Sequence, residues 1–497
     1  MMSRDPAGTE TLVRGGTLFD VRRPLTSGDI LIRDGFIVDV APTIAAPRAI
    51  VVDARGKIVM PGLVNAHIHS SQALEKGLSD RYPLDTWMLL ASSYGGVSAD
   101  FGPRELYVSA MVAAIEMIRS GTTAAIDMPR IDPRRFQDGT DAIMQAYADI
   151  GMRVMVAVIY SDQNFPGSLP LELIPGAIEA LKPARIAKVD EILPAVNDFI
   201  RRWRGRNPLL TPAVGPSSPP RCSNELFEAS VDLAQGHGLR LQTHLLAAKS
   251  EVFVGHQRHG GSTVAFLDRI GCLKEWASFA HAIWLDDDEV RLFAQSPATA
   301  VHNPISNFKL GGGLAPIVAL RKAGARIAIG SDGSSSADGQ NMFENVKATA
   351  NLHRNSHEYE DWILAEDALD MCWDGGAGAI GQKVGRLESG YRADLTLLHT
   401  RNLFITPKEQ LTGQIVHSEF GGSVDTVLIN GDVVMADGRL TRIDEAAIHA
   451  EAQEILTRIY RGMPERERRF FELYPMFRDL ERAVFRAKLP FSRYCGA

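Results

Sequence analysis

Apolar and polar positions follow two textures along the 497-residue chain. The first 60 residues carry short apolar runs split by turn signals. Leu12-Val13 precedes Gly15-Gly16, Ile30-Leu31-Ile32 precedes Asp34-Gly35, and Phe36-Ile37-Val38 follows. Two apolar runs joined by Asp-Gly predict a hairpin, because that pair accepts the backbone angles of a tight turn. The same texture returns at 379–440, with an apolar run at 394–398, Val427-Leu428-Ile429, a turn at Asn430-Gly431, and Val433-Val434-Met435. Together the two ends predict a small β-sandwich domain, 1–60 with 379–440.

Between them, at 61–378, short apolar runs alternate with helical segments. Eight strands are expected at 58–63, 123–126, 153–158, 209–214, 239–243, 278–280, 298–301 and 326–329. One intervening helix, 105–120, sets Val108, Met111, Val112, Ile115 and Ile118 on one face. Strands alternating with helices pair in parallel, and eight such units close into a (β/α)₈ barrel of α/β class. An open doubly wound sheet is the alternative. Residues 160–190, with Pro166, Gly167, Pro170 and Pro175, form a long connection that reads as a lid or a plain insertion. Residues 441–497 read as a helical extension. Its stripe of Ile448, Ala452, Ile455 and Ile459 and its Phe470, Phe471, Phe477 and Phe485 predict packing onto the chain's own body, or a subunit interface.

Composition narrows the function classes. A hydrophobic fraction of 45%, a charged fraction of 23% and a net charge of −7 suit a soluble enzyme, with no basic block for nucleic acid. Cys222, Cys272, Cys372 and Cys495 form no CxxC pair, which predicts unpaired thiols in a reducing compartment. No apolar run approaches the roughly 18 residues that cross a bilayer, and the N-terminus lacks a signal-peptide core. A cytoplasmic homo-oligomer, dimer or tetramer, acting on a small molecule is the expectation.

The strongest chemical signal is His67-Ile68-His69, just after the first apolar run. Residues two apart on a strand point the same way, so both imidazoles project from one strand end, and imidazole suits zinc or iron. Barrel sites are built at strand ends. Of 13 histidines, five stand at such ends: His67, His69, His244, His281 and His302; Asp332 follows the eighth strand. His256, His259, His353 and His449 read as surface residues. Tyr160, Asp162, Gln163 and Asn164 follow the third strand and are candidate polar contacts.

These residues resemble the amidohydrolase superfamily, in the branch holding triazine hydrolases and the methylthioadenosine/S-adenosylhomocysteine, guanine and cytosine deaminases. The matching stretches are Met60-Pro61-Gly62-Leu63-Val64-Asn65-Ala66-His67-Ile68-His69, Arg119-Ser120-Gly121-Thr122-Thr123, His302-Asn303-Pro304-Ile305-Ser306-Asn307-Phe308-Lys309-Leu310 and Gly330-Ser331-Asp332-Gly333. A further match starts at Gly385-Arg386 and ends at Ala393-Asp394-Leu395. The resemblance implies one divalent ion, zinc with iron as the alternative, on His67, His69, His244 and Asp332. It implies that His281 and Asp332 are catalytic, beside the reacting water, and that the stretch from His302, with Asn303 and Ser306, shapes the substrate pocket. The loop carrying Gln72 and Trp87 is placed near the pocket in the same way. Binuclear relatives use a modified lysine from the fourth strand, and 209–218 contains no Lys.

One position departs. In the deaminases a Glu stands three residues after the strand-five His; here Ala247 does. Four readings of the function follow. Metal-activated water hydrolyses a non-peptide C–N bond of a nitrogen-rich cyclic or amide-like substrate, with a leaving group that needs no strong donor or with Asp332 making both proton transfers. Alternatively, Ala247 is a substitution that traps substrate. The reaction could also be loss of chloride or a thiol from a triazine-like ring, or the barrel binds a ligand with weak turnover. Lys249 and Glu251 nearby read as solvated helix residues.

Overall fold

The computed structural model describes residues 10–91, 98, 101–132, 135–174, 187–407 and 409–494. The apolar run at 58–63 is not one strand. Lys57–Pro61 joins the small sheet, antiparallel to Leu395–His399, and the first barrel strand is Leu63–Ile68. The break falls at Gly62, where a Cβ would lie 2.1 Å from the Thr123 hydroxyl. Only a bare backbone crosses between the two sheets at that distance.

Seven parallel strands follow the first: Thr122–Asp127, Arg153–Val156, Leu210–Pro212, Leu241–Leu245, Ala277–His281, Thr299–His302 and Arg326–Ile329. They form two four-stranded sheets. At one seam Val214 N–H donates to the Arg240 carbonyl at 2.9 Å, and Gln242 N–H to the Val214 carbonyl at 3.0 Å. At the other, Asp332 N–H donates to the His67 carbonyl at 2.9 Å. The ring therefore closes as a (β/α)₈ barrel. Val64, Ala66, Ala124, Ile126, Met155, Ala213, Val301 and Ala328 fill its interior. The strands are buried on both faces, which is why they read as continuous apolar runs rather than alternating ones.

The helix expected at 105–120 is Pro103–Arg119. Pro103 opens it, Gly102 N–H donates to Glu105 Oε2 at 3.0 Å, and Arg119 lies in the last turn, against the negative end of the dipole. Val108, Met111, Ile115 and Ile118 are buried as the spacing requires.

Strands from both ends of the chain make one nine-stranded sheet. Both predicted hairpins are present. Asp34 and Gly35 have φ of 52° and 79°, Asn430 and Gly431 of 54° and 80°, the pairing of positive angles that a type I′ turn requires. Val13, Ile30, Ile32, Ile37, Val59, Leu395, Leu397 and Leu428 cover one face. The buried Arg153, on the third barrel strand, grips Asp394 of this sheet with two bonds of 2.6 and 3.0 Å.

The tail forms helices Glu445–Tyr460 and Met463–Arg486. Ile448, Ala452 and Ile455 are buried, and the first of these helices packs on Pro103–Arg119. Phe470, Phe477, Leu480 and Val484 close over Leu89, Phe165, Leu169 and Leu171. Phe471 and Phe485 stay exposed, at 55% and 62%. The tail's stripe thus packs on the chain's own body. Residues 175–186 of the long connection, with Pro175, and Cys495 lie outside the described residues. Cys222, Cys272 and Cys372 are free and buried.

Candidate active site

His67 sits in the first barrel strand, with His69 just past its end. His244 and His281 lie at the ends of the fifth and sixth strands, and Asp332 follows the eighth. Their side chains converge. Ring centroids lie 4.7 Å apart for His67 and His69, 5.0 Å for His67 and His244, and 5.3 Å for His69 and His244. Asp332 Oδ1 is 3.1 Å from His69 Nε2 and 3.6 Å from His67 Nε2. His281 Nε2 lies 4.0 Å from Asp332 Oδ2.

The other ring nitrogens fix the tautomers. Nδ1 of His67 faces Gln242 Oε1 at 2.9 Å, Nδ1 of His69 faces the Met128 carbonyl at 2.6 Å, and Nδ1 of His244 faces the Ser217 carbonyl at 2.6 Å. Each acceptor demands a proton on Nδ1 and leaves the Nε2 lone pair free. Gln242 is itself oriented, because its Nε2 donates to the Ala66 carbonyl and to Ser278 Oγ. Two of these lone pairs, on His69 and His244, face each other at 3.3 Å. His67 Nε2 is buried with no hydrogen-bond partner. Facing lone pairs repel, and a buried unpaired acceptor costs about 1–3 kcal/mol. A cation among them relieves both. The residues therefore fit a divalent metal, and every outer hydrogen bond holds the imidazoles in the form that binds one.

Electrostatics keep three of the imidazoles neutral. Burial pushes the pKa of His67 down to about 3 and that of His244 well below its usual range, and it lowers His281. In His69 burial also opposes charge, but the Asp332 carboxylate outweighs it and the pKa rises. Burial opposes ionisation of Asp332 too; the surrounding imidazoles overcome that and hold it well below the carboxylate range. Ser306 Oγ donates to Asp332 Oδ2, and Gly333 N–H to Oδ1 at 2.7 Å. His281 and Asp332 both adopt left-handed backbone, with φ of 76° and 67°. Such angles in non-glycine residues cost about 1–3 kcal/mol each and concentrate at functional sites.

Above this floor lies a cleft whose empty space, open mouth included, is about 740 Å³. Gln72, Trp87 and Ala247 line it together with His69, His244, His281 and Asp332. His302 does not line it. It is buried, with its ring 5.5 Å from that of His353. Asn303 and Ser306 lie behind the wall: Asn303 reaches His281 Nδ1 at 3.3 Å, and Ser306 holds Asp332. The pocket-forming expectation for these three gives way to a supporting position, because the turn after the seventh strand aims them back at the barrel.

Other expectations also change. His353 is buried rather than on the surface. Tyr160 donates to Ser230 Oγ at 2.8 Å and Asp162 accepts from Ser223 N–H at 2.7 Å, which ties this stretch to the helix Asn224–His237, and Asn164 accepts from Gly167 N–H at 2.7 Å within its own loop. Lys249 and Glu251 are not solvated. Lys249 Nζ donates to the carbonyls of Phe485 and Ala487 in the tail, at 3.0 and 2.6 Å. Glu251 lines the cavity. The sequence reading also missed Gln242, Asn307, Asp85, Arg130 and Arg221. Only Gln242 left a clear trace, as an amide two residues before His244 on the same strand face.

Comparisons place this geometry among known proteins. Residues 58–434 match the model of the amidohydrolase family. A 5'-deoxyadenosine deaminase from Methanothermobacter thermautotrophicus is 32% identical over 439 residues, covering 88% of this chain and 94% of that protein. An adenosine deaminase from Xanthomonas campestris with bound zinc is 26% identical, with a TM-score of 0.80, covering 91% of this chain and 99% of that one. Atrazine chlorohydrolase from Arthrobacter aurescens, complexed with zinc, shares the fold at a TM-score of 0.80 and 24% identity, covering 90% of this chain and 100% of that one.

Proposed function

The chain belongs to the amidohydrolase family as a metal-dependent hydrolase of non-peptide C–N bonds, and from that premise we propose that it deaminates an adenine nucleoside. The observation carrying this reading is the convergence of three imidazole Nε2 atoms and the Asp332 carboxylate on the floor of a cleft. The adenosine and 5'-deoxyadenosine deaminases it resembles direct the reading to adenine.

In this reading His67, His69, His244 and Asp332 would hold one divalent ion, zinc. When bound, such an ion lowers the pKa of its water to about 7. The carboxylate of Asp332, kept anionic by the imidazoles, takes the water proton. His281 carries its proton on Nδ1, toward Asn307 Oδ1 at 2.8 Å, so its Nε2 accepts a hydrogen bond from the attacking water and orients it. Trp87 offers the purine a flat apolar wall, and Gln72 a hydrogen-bonding amide. Ser306 and Asn303 act from behind, through Asp332 and His281.

No described helix is long and apolar enough to cross a membrane. A cytoplasmic homo-oligomer is the setting we propose, supported by the three free, buried cysteines and the exposed Phe471 and Phe485. The test is turnover. Zinc-loaded protein is incubated with 5'-deoxyadenosine, adenosine and S-adenosylhomocysteine, and ammonia and the hypoxanthine product are measured. Ammonia from at least one nucleoside is expected. Ammonia from none, with release from other amidines or amides instead, overturns the adenine reading.

A further inference from the structure

An amine departs poorly unless it gains a proton, so a deaminase needs a donor on its cavity wall. Three acidic side chains line this cavity: Asp85, Glu251 and Asp332. Asp332 is committed to the floor among the imidazoles. Asp85 lies on the helix Leu84–Ala91, next to Thr86, whose backbone N–H donates to Glu481 Oε1 of the tail at 3.1 Å. Glu251 is different. It stands in the first turn of the helix Lys249–His259, and its Oε2 accepts from the backbone N–H of Ala247 at 3.0 Å. That bond tethers the carboxyl to the loop just after His244, whose residue 247 is on the cavity wall.

We propose that Glu251, which lines the cavity and is tethered to the backbone of Ala247, donates the proton to the departing amine. This rests on the deaminase reading above. Water adds its oxygen to the ring carbon, and one water proton passes to Asp332. The C–N bond breaks with its electron pair on nitrogen. That nitrogen takes the Glu251 proton and leaves as ammonia. The proton left on the new oxygen moves to the adjacent ring nitrogen as the carbonyl forms; Asp332 then gives its proton to solvent water and Glu251 takes one from it, which restores both groups. Atoms and charge balance without a further reactant.

The surroundings suit the role. Burial raises the pKa of Glu251 to about 7, and the charge of Asp85 adds to the rise; the N–H groups of Ala247 and Leu246 and the Arg221 guanidinium oppose it. A donor with a pKa near the working pH is present as the acid and recovers its proton readily.

The experiment uses zinc-loaded wild type and Glu251→Gln with 5'-deoxyadenosine. Glutamine keeps an oxygen for the Ala247 N–H, so the fold and zinc content stay as in wild type. The expected result is a fall in kcat of about 10²–10⁴-fold, with KM little changed and the pH–rate limb near 7 lost. Adding Ala247→Glu to that variant restores part of the rate. Infrared spectra give a readout independent of turnover: the wild-type minus Glu251→Gln difference spectrum contains a protonated-carboxyl band that titrates near pH 7. The proposal is overturned if the band titrates in the ordinary Glu range, if kcat is unchanged, or if Asp85→Asn rather than Glu251→Gln removes the limb. Ammonia absent from wild type overturns the deaminase reading and this role with it; ammonia undiminished in Glu251→Gln overturns this role alone.

Discussion

The floor of the cavity and its wall are built on opposite plans. On the floor, each imidazole comes from a barrel strand end and is tied behind by a backbone carbonyl or an oriented amide. Among the described residues, none of the hydrogen-bond partners behind these imidazoles comes from the tail. The wall by Trp87 and Glu251 is built on rim helices, and helix Met463–Arg486 of the tail, which lies beyond the stretch that matches the family model, packs behind them. Phe477 stacks on Phe165, with centroids 5.6 Å apart, Glu481 accepts from Thr86, and Lys249 holds the carbonyls of Phe485 and Ala487.

That contrast can be broken or sharpened in order of effect. His244→Ala removes a floor donor outright, and we expect bound zinc to fall well below one equivalent with turnover abolished; full metal retention by atomic absorption would contradict the ligand assignment. Phe477→Ala empties a fully buried ring position in the tail, at a cost of about 3–5 kcal/mol in unfolding free energy. Metal content should stay at the wild-type level in that variant, and a loss of zinc would show that the floor leans on the tail. Gln242→Leu leaves His67 Nδ1 without its acceptor and should weaken metal affinity by about 10–100-fold, measured by chelator competition. An unchanged affinity would remove the outer hydrogen bond from the account.

Acidity separates the regions next. The folded-state pKa of Glu251 is raised to about 7 from 4.5, so the folded chain binds that proton more tightly than the unfolded chain. Its contribution to stability is greatest below pH 4.5 and is lost as pH rises through about 7. Burial and the neighbouring Asp85 raise Glu481 as well, in the same sense. Melting temperature should therefore fall across that window, and fall less in Glu251→Gln; parallel curves would mean that the carboxyl is solvated. The smallest effect belongs to Arg104→Ala, which breaks an exposed pair with Glu451 between the helix Pro103–Arg119 and the tail. A loss of about 1 kcal/mol or less is expected. A larger loss would mark that contact as part of a cooperative seam.

Much of the floor was legible along the chain. His67 and His69 share a strand face by parity alone, and His244, His281 and Asp332 each follow an apolar run. The five converge because closing the barrel leaves their strand ends no other place to meet. Gln242 escaped notice because an amide in a buried strand reads as an exception until the histidine it holds is seen. His302 was misplaced for a related reason. It ends a strand like the others, but the turn after it directs the ring toward His353, and sequence spacing carries no record of that direction.

The sequence by itself determined the alternation that closes the barrel, the hairpins at Asp34-Gly35 and Asn430-Gly431, and the imidazoles offered to a metal. Each of these rests on a period or a pair of residues within a few positions, and backbone sterics enforce such signals locally. Tertiary structure alone decided that Glu251 is half-buried against the cavity and Lys249 claimed by the tail, since the helix carrying them looks solvated on its own pattern. What covers a helix face is set by chain more than 230 residues away, as in the bond from Lys249 to Phe485, with |i−j| of 236. The protonation of a carboxyl follows from that cover, because desolvation depends on everything near the group and not on its neighbours in sequence.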